Sequence, residues 1–326
     1  MQKQRNIGII GAGRAGSALA HALDEARYPV IAVASKSQPS ATRLAKRLHG
    51  AQATPVAALV ALCDTIFVAV PDDAIAEVAN QCHWRDGQYV IHLSGAASLD
   101  TLAPAREAGA SVGSFHPLQT FAGEGKPGRP PVAPTKSCFV DITVGIETED
   151  ELLTYLQKVA QDLGAKPLVV SPGAKGLYHA GAMLACNYVV TLVAAAQQLW
   201  ATLGISEQES RAALLPLLRA TVDNIESLGA TDALTGPVAR GDAGTIERHL
   251  VELGERAPAA LEAYRELGRL TVPLALAKGT IDQQTAERLF ALFKAVGARP
   301  VHPSTGSGRM GIRGREERDS RQEVRA

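Results

Sequence analysis

Aromatic residues are scarce, at 4% of a 326-residue chain that is 46% hydrophobic overall. The core must therefore be built mostly of Ala, Val, Leu and Ile, and the length suits two domains or one large one. An excess of charge of either sign is also missing, with 33 Lys and Arg against 33 Asp and Glu. A dedicated nucleic-acid binder needs a basic surplus, so that class is disfavoured. Cysteines are few and scattered: Cys63, Cys82, Cys138 and Cys186 form no CxxC pair, and nothing near Cys82-His83 completes a zinc set. The expectation is four buried or half-buried thiols in a reducing compartment, with no metal. A long uninterrupted apolar run is absent too. The nearest to one, Ala180 to Leu199, carries Asn187, Tyr188, Gln197 and Gln198. A lipid span would bury those polar groups at several kcal/mol each, by an approximate reckoning, so a buried helix in a domain or subunit interface is expected instead. Polar Gln2 to Asn6 leads directly into a strand-like run, not into an apolar leader, and a cytoplasmic protein is expected.

What is present is alternation. Strand-like runs fall at Ile7 to Ile10, Val30 to Ala34, Thr65 to Val70, Tyr89 to Leu93, Val112 to Phe115, Phe139 to Val144 and Pro167 to Val170. Helical patterns lie between them at Ala15 to Glu25, Ser40 to Leu48, Pro55 to Leu62, Ala74 to Asn80, Leu99 to Glu107 and Glu149 to Leu163. Such alternation predicts an α/β fold with a doubly wound, mainly parallel Rossmann sheet. Beyond Gly173 only helical periodicity continues, at Leu177 to Leu203, Glu207 to Leu228, Thr245 to Leu253, Pro258 to Leu276 and Gln284 to Ala295. The expected organisation is a dinucleotide-binding domain at 1–171 and an all-α substrate and dimerisation domain at 172–300. A polar, Arg/Glu-rich tail at 301–326 is expected to be disordered. The Gly- and Pro-rich Gly123 to Pro134 reads equally as an active-site loop or a plain connector.

The strongest motif is Gly11-Ala12-Gly13-Arg14-Ala15-Gly16, a GxGxxG set between an apolar strand and a helix. Gly11 permits the tight turn, Gly13 lets the backbone approach a pyrophosphate, and Gly16 lets helix and strand pack closely. The helix start, with Arg14 and Ala15, offers N–H groups and positive potential to the anion. At the end of the second strand an NAD site usually places a carboxylate for the ribose; here stand Ser35, Lys36 and Ser37. Hydroxyls and a cation suit a 2′-phosphate, with Arg14 as a second cation, and the cofactor expected is NADP(H). A solvated lysine beside two turn serines is the plainer alternative. Later strand ends, Val70-Pro71-Asp72-Asp73 and Leu93-Ser94-Gly95-Ala96, point to the same crevice by the carboxyl-end rule. Asp72 and Asp73 equally suit helix caps, the more so Asp73. Thr235-Gly-Pro-Val-Ala-Arg240-Gly-Asp242 interrupts two helices. Either Arg240 clamps a substrate carboxylate, or Gly236-Pro237 breaks the helix and Asp242 caps the next.

Taken in order, these stretches resemble a specific group of bacterial Rossmann oxidoreductases. The residues that carry the resemblance are Gly11-Ala-Gly-Arg-Ala-Gly-Ser-Ala-Leu-Ala, Val70-Pro-Asp-Asp-Ala-Ile, His92-Leu-Ser-Gly-Ala and Gly113-Ser-Phe-His-Pro-Leu-Gln-Thr-Phe. Further on come Tyr178-His-Ala-Gly-Ala-Met-Leu-Ala-Cys-Asn-Tyr and Thr235-Gly-Pro-Val-Ala-Arg-Gly-Asp. The group is similar to oxidoreductases with a C-terminal domain of long-unassigned function, some of which resemble an alternative type of ketopantoate reductase. More distantly the layout is similar to 6-phosphogluconate dehydrogenase, pyrroline-5-carboxylate reductase and prephenate dehydrogenase. The resemblance implies NADPH-dependent reduction of a small 2-oxo acid, with substrate between nicotinamide and the first long helix of the second domain. Ketopantoate reductases carry a catalytic Lys on that helix and an Asn two turns later. His179 falls where that Lys would, Asn187 comes eight residues on, and Lys175 lies one turn earlier. His179 is expected as general acid and Asn187 as orienting donor, with Lys175 as the other candidate acid. His116-Pro117 resembles the His-Pro-Met turn of prephenate dehydrogenases, with Gln119 and Thr120 as polar anchors. The expected partners are a small-molecule substrate and a second copy of the chain through the helical domain, with neither nucleic acid nor membrane. Two rivals remain: an imine reductase resembling pyrroline-5-carboxylate reductase, and a dinucleotide-binding protein without catalysis.

Overall fold

In the computed structural model, residues 5–121, 138–148 and 150–294 are described. Gly123 to Pro134 and the tail from 301 lie outside them, as does Ala295. The chain divides into two compact units, 1–192 and 193–326.

The first unit is built on an eight-stranded sheet. Its strands are β1 (Ile7–Ile10), β2 (Val30–Ala34), β3 (Gln52–Ala53), β4 (Thr65–Val68), β5 (Tyr89–His92), β6 (Ser111–Pro117), β7 (Thr143–Glu147) and β8 (Lys166–Val169). They lie in the order 3-2-1-4-5-6-7-8. All neighbours are parallel except β6 and β7. Strand order reverses between β1 and β4, and open sheets bind ligands in the crevice beyond the carboxyl ends at such a point. β1 and β4 are buried throughout, as strands covered on both faces must be. Helices α1 (Arg14–Glu25), α2 (Gln38–Ala45), α3 (Val56–Leu62), α4 (Asp72–Gln81), α5 (Ala103–Glu107) and α6 (Asp150–Asp162) connect the strands, with a 3-10 turn at Leu99–Leu102. Two apolar clusters result. One joins Ile9, Leu19, Phe67 and Phe115 to Leu156, the other Ile10, Leu59, Ile66 and Val90 to Leu102.

Some boundaries depart from the sequence reading. Only the last two residues of the apolar run at Phe139 to Val144 are strand. Asp141 takes a left-handed φ of 66°, Phe139 packs into the core beside Phe115, and β7 starts only at Thr143, running against β6. Two-residue β3 was too short to leave a pattern. The single helix expected over Leu177 to Leu203 is two, α7 (Lys175–Ala185) and α8 (Asn187–Ala201), parted at Cys186 (φ −121°, ψ −75°).

That segment is not buried within the single chain, which leaves the subunit interface of the two settings expected for it. No residue of α8 is buried, and Leu177 is 85% and Val190 68% exposed. By length and composition Lys175–Ala201 would pass for a membrane span, yet its first residue, Lys175, is buried against the sheet unit.

The second unit holds α9 (Glu207–Asp232), α10 (Ala243–Arg256), α11 (Pro258–Ala277) and α12 (Gln283–Lys294). Ser206 and Glu209 close a reciprocal capping box at the start of α9, and Gly229 (φ 79°) kinks its end. The core of the unit centres on Ile246, Val272, Leu289 and Phe293.

Candidate active site

The glycine loop has the form a dinucleotide requires. Gly11 sits at φ +113°, and a Cβ there would strike the Ala69 carbonyl. A Cβ on Gly16 would strike the Gly11 carbonyl oxygen and lie 2.9 Å from the Ala69 Cβ. At Gly13, by contrast, nothing lies within 4 Å of the position a Cβ would take. Two glycines are thus consumed by packing, and the third leaves bare backbone at the N-terminus of α1, where no side chain caps the helix. Free N–H groups over open space fit a pyrophosphate.

At the ribose end Ser35 is half-buried, while Lys36 and Ser37 are exposed at the entry to α2. Ser40 donates to Ser37 Oγ (3.0 Å) and Arg43 to Ser40 Oγ (3.4 Å), so a polar strip continues along α2. Arg14 does not join it: its guanidinium donates to the Phe121 carbonyl at 3.4 Å. Val70 is half-buried and Pro71 exposed at the end of β4. Asp72 and Asp73 make no capping hydrogen bond; they occupy the first turn of α4, where carboxylates offset its positive end.

The chemistry gathers at the carboxyl ends of β5 and β6. The Ser94–Gly95 turn follows β5, and Ser94 Oγ accepts from the Ala96 and Ala97 N–H groups (3.1 and 2.8 Å). Buried Lys175, on α7, donates to the Ser94 carbonyl at 2.6 Å. One turn on, the His179 ring lies 5.8 Å from that of His116 and edge-on to it. Both press on Gly95: a Cβ there would stand 2.5 Å from His179 Cδ2 and 2.7 Å from His116 Nε2. His116 Nδ1 in turn meets the Tyr178 hydroxyl at 3.0 Å.

Burial sets the electrostatics. It pushes Lys175 down to about 8, against the pull of the Glu147 and Asp72 carboxylates. His116 falls to about 4, by burial first and then by the positive charge of His179 and Lys175. His92, fully buried, falls to about 3 for the same leading reason; its Nδ1 accepts from the Ser94 N–H (3.2 Å), and Nε2 has no partner. Burial raises Glu147, with Lys175 and the Gly173 N–H opposing. The result is one buried cation beside two imidazoles, His92 and His116, held neutral near pH 7, a surrounding that favours negative charge developing on a nearby oxygen.

Asn187 stands apart from this arrangement. The break at Cys186 ends the helix on which it was to share a groove with His179, and Asn187 is exposed. Gln119 and Thr120 are exposed, with Gln119 Oε1 accepting from the Thr120 N–H (2.8 Å). In the second unit Arg240 is exposed after Gly236 (φ 93°), and Asp242 caps α10 through the Thr245 N–H (3.0 Å). Among the described residues, no group of three or more His, Cys, Asp or Glu is placed to hold a metal. The four cysteines are free thiols, Cys63 buried and the others half-buried.

A Rossmann-like family model matches residues 1–117, and a domain of unknown function, DUF2520, matches 142–271. The chain is thus similar to a Rossmann-like domain followed by a DUF2520 domain. No curated protein matches it. Among solved structures, a Thermotoga maritima protein is 25% identical with a TM-score of 0.65, over 84% of this chain and 99% of that one. A Bacteroides fragilis protein described as a candidate NADP oxidoreductase is 24% identical, TM-score 0.64, over 83% and 98%. An Aspergillus terreus reductive aminase, solved with NADPH and ethyl levulinate, shares the fold at 18% identity and TM-score 0.57, over 89% and 93%.

The cluster draws on both matched segments. Ser94, Gly95 and His116 come from the Rossmann-like segment, whereas Glu147, Lys175, Tyr178 and His179 lie within the DUF2520 segment. Sequence reasoning missed three members of it. His92 and Tyr178 lay inside motifs already singled out, each next to a residue read as functional or one turn from it. Glu147 carried no local signal, because the strand that holds it was misplaced.

Proposed function

We propose that the protein is an NADPH-dependent reductase of a small 2-oxo acid or related carbonyl compound, of the ketopantoate reductase type. The observation that carries this reading is the meeting of Lys175, His116 and His179 on the Ser94–Gly95 turn, at the carboxyl edge of the sheet that bears the glycine loop. The neighbouring NADP-linked oxidoreductase and reductive aminase structures support the coarser part of it, a nicotinamide-dependent oxidoreductase.

When bound, NADPH supplies the hydride. The chain must then hold the carbonyl, steady the charge that grows on its oxygen, and deliver a proton. His179 serves as the general acid. Lys175, protonated at neutral pH and close to its titration point, keeps the local potential positive and is the second proton source. His116, neutral at pH 7, contributes a hydrogen-bond donor without a competing charge. The same positive cluster disfavours a protonated imine, which separates this reading from imine reduction. Asn187, exposed after the break at Cys186, is left without a role in this reading.

The test is turnover of His179→Ala and Lys175→Met against a panel of small keto acids and cyclic imines, ketopantoate and pyrroline-5-carboxylate included. A loss of about 10²- to 10⁴-fold in each, with NADPH affinity nearly intact, is expected. Unchanged turnover in both variants would overturn the assignment. NADPH binding with no oxidation by any member of the panel would favour a dinucleotide-binding protein without catalysis.

A further inference from the structure

Tyr178 sits between the two residues assigned to acid chemistry on α7, and its side chain turns to β6 and β7. Its hydroxyl is 3.0 Å from His116 Nδ1, and the rings meet edge-to-face with centroids 5.7 Å apart. Opposite His116 in the β6–β7 register stands Gly145, where any Cβ would collide with the Tyr178 hydroxyl. A side chain at 145 is thus incompatible with the phenol where it lies.

The direction of the His116–Tyr178 hydrogen bond follows from counting protons. A neutral imidazole has one N–H and one lone pair. His116 is neutral near pH 7, pushed down to about 4 by burial and by the His179 and Lys175 charges, with Asp72 pulling the other way. Tyr178 keeps its proton, pushed up to about 12 by burial. Two arrangements remain: the phenol donates to Nδ1, or Nδ1–H donates to the phenol oxygen. The first pairs the better donor with the better acceptor, since a phenol O–H is more acidic than an imidazole N–H and an imidazole lone pair more basic than a phenol oxygen. The phenol proton therefore goes to Nδ1, 3.0 Å away, which leaves the imidazole proton on Nε2, the atom that abuts Gly95.

We propose that Tyr178 is a positioning residue: by donating to Nδ1 of His116 it fixes the tautomer that presents Nε2–H to the carbonyl oxygen of the substrate. The proposal rests on the reading of the His116–His179 cluster as the substrate side of a reductase. Without the phenol, the imidazole is free to place its proton on Nδ1 and offer the substrate oxygen a lone pair, which repels the charge it should stabilise.

The tautomer is read directly on the full-length protein labelled with ¹⁵N-histidine, by long-range ¹H–¹⁵N correlation, with no cofactor or turnover required. His116 should show the Nε2–H pattern in the parent chain and lose that preference in Tyr178→Phe. Gly145→Ala, which keeps the phenol but displaces it, should do the same. For carbonyl reduction, kcat in Tyr178→Phe should fall about tenfold, the order expected for one hydrogen bond made to the transition state, with KM for NADPH unchanged. In a His116→Ala background, Tyr178→Phe should cost nothing further. An Nδ1–H tautomer in the parent chain, or an identical tautomer in Tyr178→Phe, would overturn the proposal. If the tautomer responds to Tyr178→Phe while His116→Ala turns over normally, the pairing stands and the reading of the site beneath it falls.

Discussion

Replacing Lys175 by Met should leave the fold about as stable at neutral pH while abolishing most turnover, and the two chains should part as pH rises. Lys175 is 4% exposed, and burial takes its ammonium from 10.5 to about 8. At about 1.4 kcal/mol per tenfold change in proton affinity, keeping that charge inside the fold costs roughly 3 kcal/mol. Methionine removes the cost. It also strips the Ser94 carbonyl of its donor at 2.6 Å, a loss of about 1–3 kcal/mol, so the two effects nearly cancel near pH 7. The folded pKa lies below the unfolded one, so between about pH 8 and 10.5 the unfolded chain holds a proton that the native chain has released. Wild-type stability must therefore rise with pH through this window, by about 1.5 kcal/mol between pH 8 and 9.5. Lys175→Met has no such group and gains nothing from it. Urea unfolding of both chains at half-unit steps, taken as the difference between them, isolates the effect from every other titration. A difference that stays flat across that window would show that the ammonium is not held in a dry site, and the electrostatic account of the cluster would fail with it.

Two further outcomes follow from the same structure. The double change Ser35→Asp, Lys36→Ala should weaken NADPH binding by about tenfold or more, roughly 1.4 kcal/mol, without weakening NADH; equal losses for both in calorimetric titration would show that the 2′-phosphate is held elsewhere. The exposed apolar residues of α7 and α8, Leu177, Leu184 and Val190 among them, should be covered by a second copy of the chain. Light scattering on the eluting protein should then give twice the single-chain mass, and a single-chain mass would refute it.

The dinucleotide half was legible because its signals are local. Gly11 takes a left-handed φ that favours glycine, Gly16 is demanded by the nearby Gly11 carbonyl, and β1, β2 and β5 are apolar runs between turn residues. Where the sequence misled, the deciding force lay far along the chain or in one backbone angle. Nothing in Phe139 to Val144 announces the left-handed Asp141 that delays β7 and reverses it against β6. No glycine or proline marks the break at Cys186, so Asn187 read as lying on one helix with His179, whereas it begins the next. His116, His179 and Lys175 were recognisable as residue types beside strand ends and on the following helix. Their actual meeting depends on contacts spanning 62 residues to Tyr178 and 81 to Ser94, which no periodicity encodes. Tyr178 went unread for that reason.

Helix α7 is fastened at two points, by an ammonium on the Ser94 carbonyl and by a phenol lodged over Gly145. These two rivets make it part of the dinucleotide-holding body, not of the helical unit that follows Leu192. A mutation or ligand that loosens the later helices should therefore leave the imidazoles aligned over Gly95. On the proposed function, the proton donors then keep their place while the later helices change.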